Sequence, residues 1–194
     1  MSEYEKLLSK KTKVVAVNHV SNALGTINPA REIIQKAHAA GAKVLIDGAQ
    51  SAPHMKIDVK DLDCDFYAFS GHKMYGPSGV GGLFGKMAVM ETMPPYVTGG
   101  DMIVQVTLEK TTYAKPPARF EAGTPPISQV IGLGAAIDYI NSIGLDKIDK
   151  YEHSLLEYGT KLLRDIPGLR IVGTAKEKAA IISFYLDAAH PHDI

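Results

Sequence analysis

The strongest chemical signal in the sequence is Ser70-Gly-His72-Lys73-Met-Tyr-Gly76-Pro77, followed at once by Gly79-Val-Gly-Gly82. A lysine set in a glycine-rich turn just past a buried strand is sterically accessible. Partial desolvation would make its amine a nucleophile toward carbonyls. The plain alternative is a solvated loop lysine, since exposed lysines are the rule. Asp47, at the end of Val44-Leu-Ile46, is the second signal. A carboxylate buried there needs a cationic partner, and a protonated pyridine nitrogen would be one. Gln50, three residues on, has an amide able to donate to the phenolate oxygen of the same ring. The competing reading has Asp47 capping a local turn. Ser70 and His72 flank the lysine and could both donate to a phosphate. Thr124, in Arg119-Phe-Glu-Ala-Gly123-Thr124-Pro125, is a further hydroxyl in a Gly-Pro turn. Hydroxyls and backbone N–H groups in such turns make anion sites, although each of these residues taken singly is equally a turn former.

These residues need elements to hold them. Val14 to Val20 and Lys43 to Ile46 are short, β-branched and apolar, as strands buried on both faces should be. Between them Pro29 suits a first helical turn, and Ala30, Ile33, Ile34 and Ala37 fall on one helical face. Gly41 stops that helix. Strand, helix and strand with short loops make a βαβ unit with parallel strands. Phe66 to Phe69 and Gly79 to Phe84 read as a third and a fourth strand. The polar stretches Asp47-Gly-Ala-Gln50 and Ser70-Gly-His-Lys73 then lie at strand carboxyl ends, where open α/β sheets bind ligands. Residues 94–126 are rich in Pro and Gly and read as a long irregular segment, of the kind that is more often functional than idle. Helices come next over about 127–143, packed through Gly132, Gly134, Ala135 and Ala136, and over 145–165. The second carries a stripe of Ile148, Leu155, Leu162 and Ile166, widened by Leu156 and Leu163. Leu169 to Val172 and Ala180 to Leu186 read as two strands of a further sheet.

Composition narrows the classes. The 194 residues are 45% hydrophobic and 22% charged, which suits a folded protein rather than a disordered one. Lys+Arg and Asp+Glu are each 21, which speaks against a nucleic-acid binder. Cys64 is the single cysteine, so neither an intrachain disulfide nor a Cys-rich metal site is possible. No apolar run approaches the ~20 residues of a membrane span, and Met1-Ser-Glu-Tyr-Glu-Lys has no apolar leader core. The expectation is a soluble, cytoplasmic protein. A nucleotide-phosphate site is disfavoured because neither Gly-x-x-x-x-Gly-Lys-Ser/Thr nor Gly-x-Gly-x-x-Gly spacing occurs. His190 and His192 sit close together, but at a terminus that should fray.

The ordered set of Asn22, Asp47-x-x-Gln50, Ser70-x-His72-Lys73 and Arg119-Phe-Glu-Ala-Gly-Thr124-Pro resembles the class V aminotransferase family. Within that family it is most similar to the cysteine desulfurases of the SufS type, with selenocysteine lyases close by. The stretches His19-Val-Ser-Asn22-Ala-Leu-Gly25, Leu62-Asp-Cys-Asp-Phe-Tyr67 and Gly99-Gly-Asp-Met-Ile103 extend the match from about residue 13 to the end. The resemblance implies an α/β, fold-type-I pyridoxal-phosphate large domain over 1–144, with a mostly parallel sheet and flanking helices. A connecting helix and the start of a small α+β domain would occupy 145–194. It implies that Lys73 joins the cofactor covalently and moves the α-proton of the substrate. Asp47 would pair with the pyridinium nitrogen, Gln50 with the ring oxygen, and Ser70 and His72 with the phosphate. Asn22 would lie near the substrate carboxylate, and Thr124 would reach the phosphate of a second subunit in a homodimer. The implied reaction is L-cysteine to L-alanine with sulfur passed to an enzyme cysteine, in the service of iron–sulfur cluster assembly and with a sulfur-acceptor protein as a further partner. L-Selenocysteine cleavage, another class V lyase or transaminase reaction, and a non-catalytic copy of the fold are the alternatives.

The same resemblance says what to expect outside these residues. The persulfide-forming cysteine and the carboxylate-binding arginine would follow residue 194. The ring-stacking histidine and part of the phosphate cup would precede residue 1. Cys64 reads as a packing residue, and His19 as a buried, hydrogen-bonded residue near the site. The chain is expected to be the middle of a longer protein.

Overall fold

The computed structural model describes residues 1–194. The elements run α1 Ser2–Leu7, β1 Val14–Asn18, α2 Ala30–Ala39, β2 Lys43–Asp47, α3 Val59–Leu62, β3 Phe66–Ser70, β4 Gly81–Gly85, α4 Met87–Met90, β5 Ile103–Val106, β6 Thr111–Tyr113, α5 Ile127–Ile143, α6 Leu145–Arg164, β7 Leu169–Val172 and β8 Ser183–Leu186. The central sheet has the order β1-β2-β3-β4. Its first three strands are parallel and β4 runs antiparallel to β3. The predicted βαβ unit is therefore present, with β1 two residues shorter than the apolar run suggests. Val20 instead bridges Ile27 across a turn.

One face of this sheet makes the core. Ala30, Ile33, Ile34 and Ala37 of α2 are all buried, at the i, i+3, i+4, i+7 spacing of an amphipathic helix. Ala30, Ile34 and Ala37 close over Val44 and Ile46, which are fully buried, with Ala42, Cys64 and Tyr67 completing the cluster. Burying each large side chain there contributes about 1.5–3 kcal/mol. Asp65, next to Cys64 in the chain, is 1% exposed. Its carboxylate accepts from the Val44 amide at 2.8 Å, meets His38 Nε2 at 2.8 Å and lies 3.3 Å from Lys43 Nζ. Burial by itself would raise the Asp65 pKa. The hydrogen bonds from His38, Val44 and Lys43 outweigh it and hold the carboxyl below its ordinary value.

The 94–126 segment is more ordered than its composition suggests. β5 and β6 form a two-stranded antiparallel hairpin with a register shift between Ile103 and Gln105. Arg119 anchors the stretch after the hairpin, donating to the carbonyls of Ala114 at 3.0 Å, Glu91 at 3.1 Å and Met93 at 2.9 Å. Its planar guanidinium serves three acceptors from one head group. Arg119→Met should therefore lower stability by about 1–3 kcal/mol, read as a lower urea midpoint at unchanged slope.

Helix α6 departs from the predicted stripe. Leu156 is its buried residue, with Ile148 and Leu163 partly covered on the same side. Leu155, Leu162 and Ile166 are exposed, and with Tyr151 and Tyr158 they form a second, outward apolar row. Both rows have helical spacing, so periodicity alone could not choose between them. In α5, Gly132 lets Pro77 approach, since a Cβ there would lie 2.6 Å from Pro77 Cγ, whereas Gly134 faces open space. β7 and β8 pair antiparallel as a separate two-stranded sheet. No helix is long and apolar enough to cross a membrane.

Candidate active site

The three parallel strands end on one side of the sheet, and the candidate residues are carried there. Asp47 closes β2, in register with Asn18 of β1 and Ala68 of β3. The chain then turns through Gly48–Ser51. Ser51 N and Ala52 N donate to the Gly48 carbonyl at 3.0 and 2.8 Å, and Gly48 N donates to Ala68 O at 2.7 Å. Asp47 Oδ1 accepts from the Ala49 amide at 2.9 Å, so the turn-capping reading of this residue is realised. That contact uses one carboxylate oxygen. Asp47 is exposed and enters no ion pair, so its other oxygen is free for a cationic group. Gln50, half-buried, stands in the same turn.

β3 runs into a single 3-10 turn, Gly71–Met74, which carries His72 and Lys73. The turn is narrow for a steric reason. A Cβ on Gly71 would meet Val80 O at 2.8 Å, and one on Gly76 would meet Gly71 O at 2.9 Å. Tyr75 takes the left-handed conformation, at φ 60°, to bring the chain back. Ser70 Oγ and His72 Nδ1 are 2.9 Å apart, so the two predicted phosphate donors already orient each other and leave His72 Nε2 outward. Lys73 is half-buried and paired with no carboxylate.

Asn22 sits at the exposed tip of the turn after β1. Ser21 N donates to Thr26 O, Gly25 N to Ser21 O and Leu24 N to Ser21 Oγ, which shape the tip. Residues far along the chain hold it down. Ala179 N donates to Gly25 O at 2.8 Å, Ile27 N to Glu177 O at 3.1 Å, and Ser183 Oγ to Ala23 O. Gly25, at φ +72°, has no room for a side chain, because a Cβ would lie 2.9 Å from Ala179 O.

Thr124 is not brought to this cluster. It is exposed beside Gly123, whose amide bonds Gly100 O at 3.0 Å, and it makes no hydrogen bond to Ser70, His72 or Lys73. A cavity of about 580 Å³ lies elsewhere, between α6 and residues 173–178. The lysine turn itself forms an open surface site. His19 is buried as expected, but the expected hydrogen bond is absent: its Nδ1 has no partner. Burial pushes its pKa down, which keeps the ring neutral. Cys64 is fully buried, and burial pushes its thiol up. Sequence reading missed the support beneath the Asp47 turn. Tyr67 and Ser51 are both buried, with their hydroxyls 2.7 Å apart. The glycine following Asp47 was the available clue.

The sheet thus carries an unpaired lysine in a tight turn, a carboxylate with one free oxygen and a Ser–His pair at its strand carboxyl ends. The comparisons give the family. The aminotransferase class-V model matches residues 1–194, and the chain belongs to that family. It is 56% identical over 194 residues to a cysteine desulfurase of Synechococcus elongatus, covering all of this chain and 31% of the relative. The apo structure of a cysteine desulfurase from Thermococcus onnurineus superposes with a TM-score of 0.93 at 42% identity, over 99% of this chain and 48% of the other. A C-DES variant with glycine covalently linked to its pyridoxal phosphate superposes at 0.85 with 28% identity, over 96% of this chain and 50% of the other. The chain thus spans half or less of the length of these relatives. The fold is that of the fold-type-I pyridoxal-phosphate large domain, as the resemblance implied.

The residues present fit pyridoxal phosphate. The donor set offers an unpaired amine for the aldehyde at Lys73, a free carboxylate oxygen for the ring nitrogen at Asp47, and an oriented hydroxyl and imidazole for the phosphate at Ser70 and His72.

Proposed function

We propose that this chain carries the cofactor-lysine portion of a pyridoxal-phosphate-dependent cysteine desulfurase. The observation that carries the reading is the unpaired Lys73 in its 3-10 turn, flanked by the Ser70–His72 pair. When bound, the cofactor supplies an electron sink that acidifies the α-carbon of an amino acid. The chain's own residues do the rest. The Lys73 amine anchors the group and carries the proton to and from the α-carbon. The Asp47 carboxylate holds the ring nitrogen protonated, while Gln50 donates to the ring oxygen. Ser70 and His72 bind the phosphate, and the Asn22 amide faces the substrate carboxylate.

The substrate of this reading is L-cysteine and the product L-alanine, with sulfur leaving to a cysteine nucleophile. Cys64 is unsuited to that role: it is fully buried with a raised thiol pKa, and the thiolate is the reactive form. Residues 1–144 act as the large domain and 145–194 as the connecting helix and the start of the small domain, in a cytoplasmic protein. Exposed apolar residues along the 96–131 stretch support a homodimer in which Thr124 serves the partner's phosphate. Tyr96 is 93% exposed and Leu108 102% exposed, and Val104, Val106 and Ile131 are also open. A sulfur-acceptor protein is the further partner.

The test is uptake of pyridoxal phosphate. A visible absorption band should form and bleach with borohydride, leaving the cofactor mass on the Lys73 peptide. A chain that stays colourless with excess cofactor refutes the reading. In the same preparation, Cys64→Ala should leave cofactor capture unchanged, and L-cysteine should add no persulfide mass at Cys64 in the parent.

A further inference from the structure

Asp47 and Gln50 leave the sheet on a turn that has a support on its far side. In the β2–β3 register Ile46 stands opposite Tyr67 and Asp47 opposite Ala68. Successive strand residues face opposite sides, so Tyr67 lies on the face away from Asp47, within the core cluster. Its ring fills the space that a side chain at position 48 would take: a Cβ on Gly48 would lie 2.1 Å from Tyr67 Cζ and 2.2 Å from its hydroxyl oxygen. Gly48 is therefore the residue that admits the phenol beneath the turn. The hydroxyl ends 2.7 Å from Ser51 Oγ, and Ser51 Oγ in turn lies 3.3 Å from the Gly48 carbonyl, to which it donates. Ser51 is fully buried and Tyr67 3% exposed, so neither hydroxyl has water as a ready substitute. Burial pushes the Tyr67 phenol up to about 12, which keeps it a neutral donor and acceptor at working pH.

We propose that the Tyr67–Ser51 hydroxyl pair is a positioning device for the cofactor site, fixing the Gly48–Ser51 turn from behind and so setting the angle at which Asp47 and Gln50 meet the ring. Neither residue touches the cofactor. Both act through the turn, and side chains held by a supporting shell keep the tolerance that a ring contact needs. The inference rests on the cofactor reading above for its purpose, but not for its geometry.

The experiment uses the whole chain as parent, Tyr67→Phe, Ser51→Ala and the double variant. In cofactor-free protein, amide exchange at Ser51 and Ala52 should speed up about tenfold in Tyr67→Phe, the scale of one buried hydrogen bond. With pyridoxal phosphate added, each single variant should bind about three- to tenfold more weakly. The induced circular dichroism of the visible band, which reads the tilt of the ring, should shrink. Ser51→Ala strands the buried phenol, and the double variant removes that orphan. Its unfolding midpoint should therefore recover relative to Ser51→Ala, while affinity and dichroism stay low. Recovery of affinity in step with stability overturns the proposal, as does unchanged exchange in Tyr67→Phe. A parent that takes up no cofactor overturns the desulfurase reading instead, and the exchange measurement still decides the brace.

Discussion

Lys73→Ala should lose all borohydride-fixed cofactor, and the exchange of the α-proton of an amino-acid substrate should fall by on the order of 10²–10⁴-fold. The expectation comes from the turn. Lys73 is the side chain that the 3-10 segment Gly71–Met74 presents next to the Ser70–His72 pair, and no carboxylate holds its amine. Lys73→Arg should be equally inactive, because the guanidinium keeps the charge and lacks a nucleophilic lone pair at neutral pH. Phosphate binding should persist in both variants, since Ser70 and His72 are untouched. Cofactor affinity should therefore weaken without vanishing. Peptide mass mapping after borohydride, with hydrogen–deuterium exchange at the α-carbon, checks this. Retention of the mass in Lys73→Ala, on any other lysine, would place the site elsewhere.

Asp65→Ala should destabilise the fold by about 1–3 kcal/mol, the usual cost of leaving a buried amide unpaired. Three groups lose their partner at once: the buried Val44 amide, His38 and Lys43. Asp65→Asn keeps an acceptor for the Val44 amide and should cost less, which separates the hydrogen bond from the charge. The pH dependence has a definite sign. The folded-state pKa of Asp65 lies below its ordinary value. Its contribution is therefore complete above the unfolded carboxylate value of about 3.9 and is lost as pH falls through the lower folded value. The gap in denaturation midpoint between parent and Asp65→Ala should be full at neutral pH and close on the acid side. A gap that stays constant into acid would show that the charge on Asp65 is not what holds the cluster together.

The parts of the molecule that the sequence makes legible are those where local pattern and tertiary environment agree. The apolar face of α2, the two parallel strands and the polar strand ends at Asp47 and Ser70 can each be read within a dozen residues, and each is where pattern puts it. Asp65 was not legible. In Leu62-Asp-Cys-Asp-Phe-Tyr67 it looks like one of two loop aspartates. Its burial depends on His38 and Lys43, more than twenty residues away. The hairpin β5–β6 was hidden by the prolines and glycines that flank it. On α6, Leu155 and Leu162 lost the inward side to Leu156, although both rows have helical spacing. For the candidate site the motif put forward Lys73, Asp47, Gln50, Ser70, His72 and Asn22, and it left out the phenol beneath the Asp47 turn. The Tyr67–Ser51 contact spans two strands and leaves no periodic mark.

The clamp on the Asn22 turn bears on the order in which the site is made. Ser183 Oγ reaches Ala23 O across 160 positions of sequence. Ala179 and Glu177 add their bonds to Gly25 and Ile27 from nearly as far. A ribosome releases the amino-terminal side first. The sheet that carries Asp47 and Lys73 is built from contacts within residues 14–85, so it can assemble while the rest is still being synthesised. The Asn22 tip cannot be finished then, because its anchors have not emerged and closing so long a loop costs entropy that only the later contacts offset. The nascent protein can therefore pair β1–β4 before the Asn22 turn is anchored.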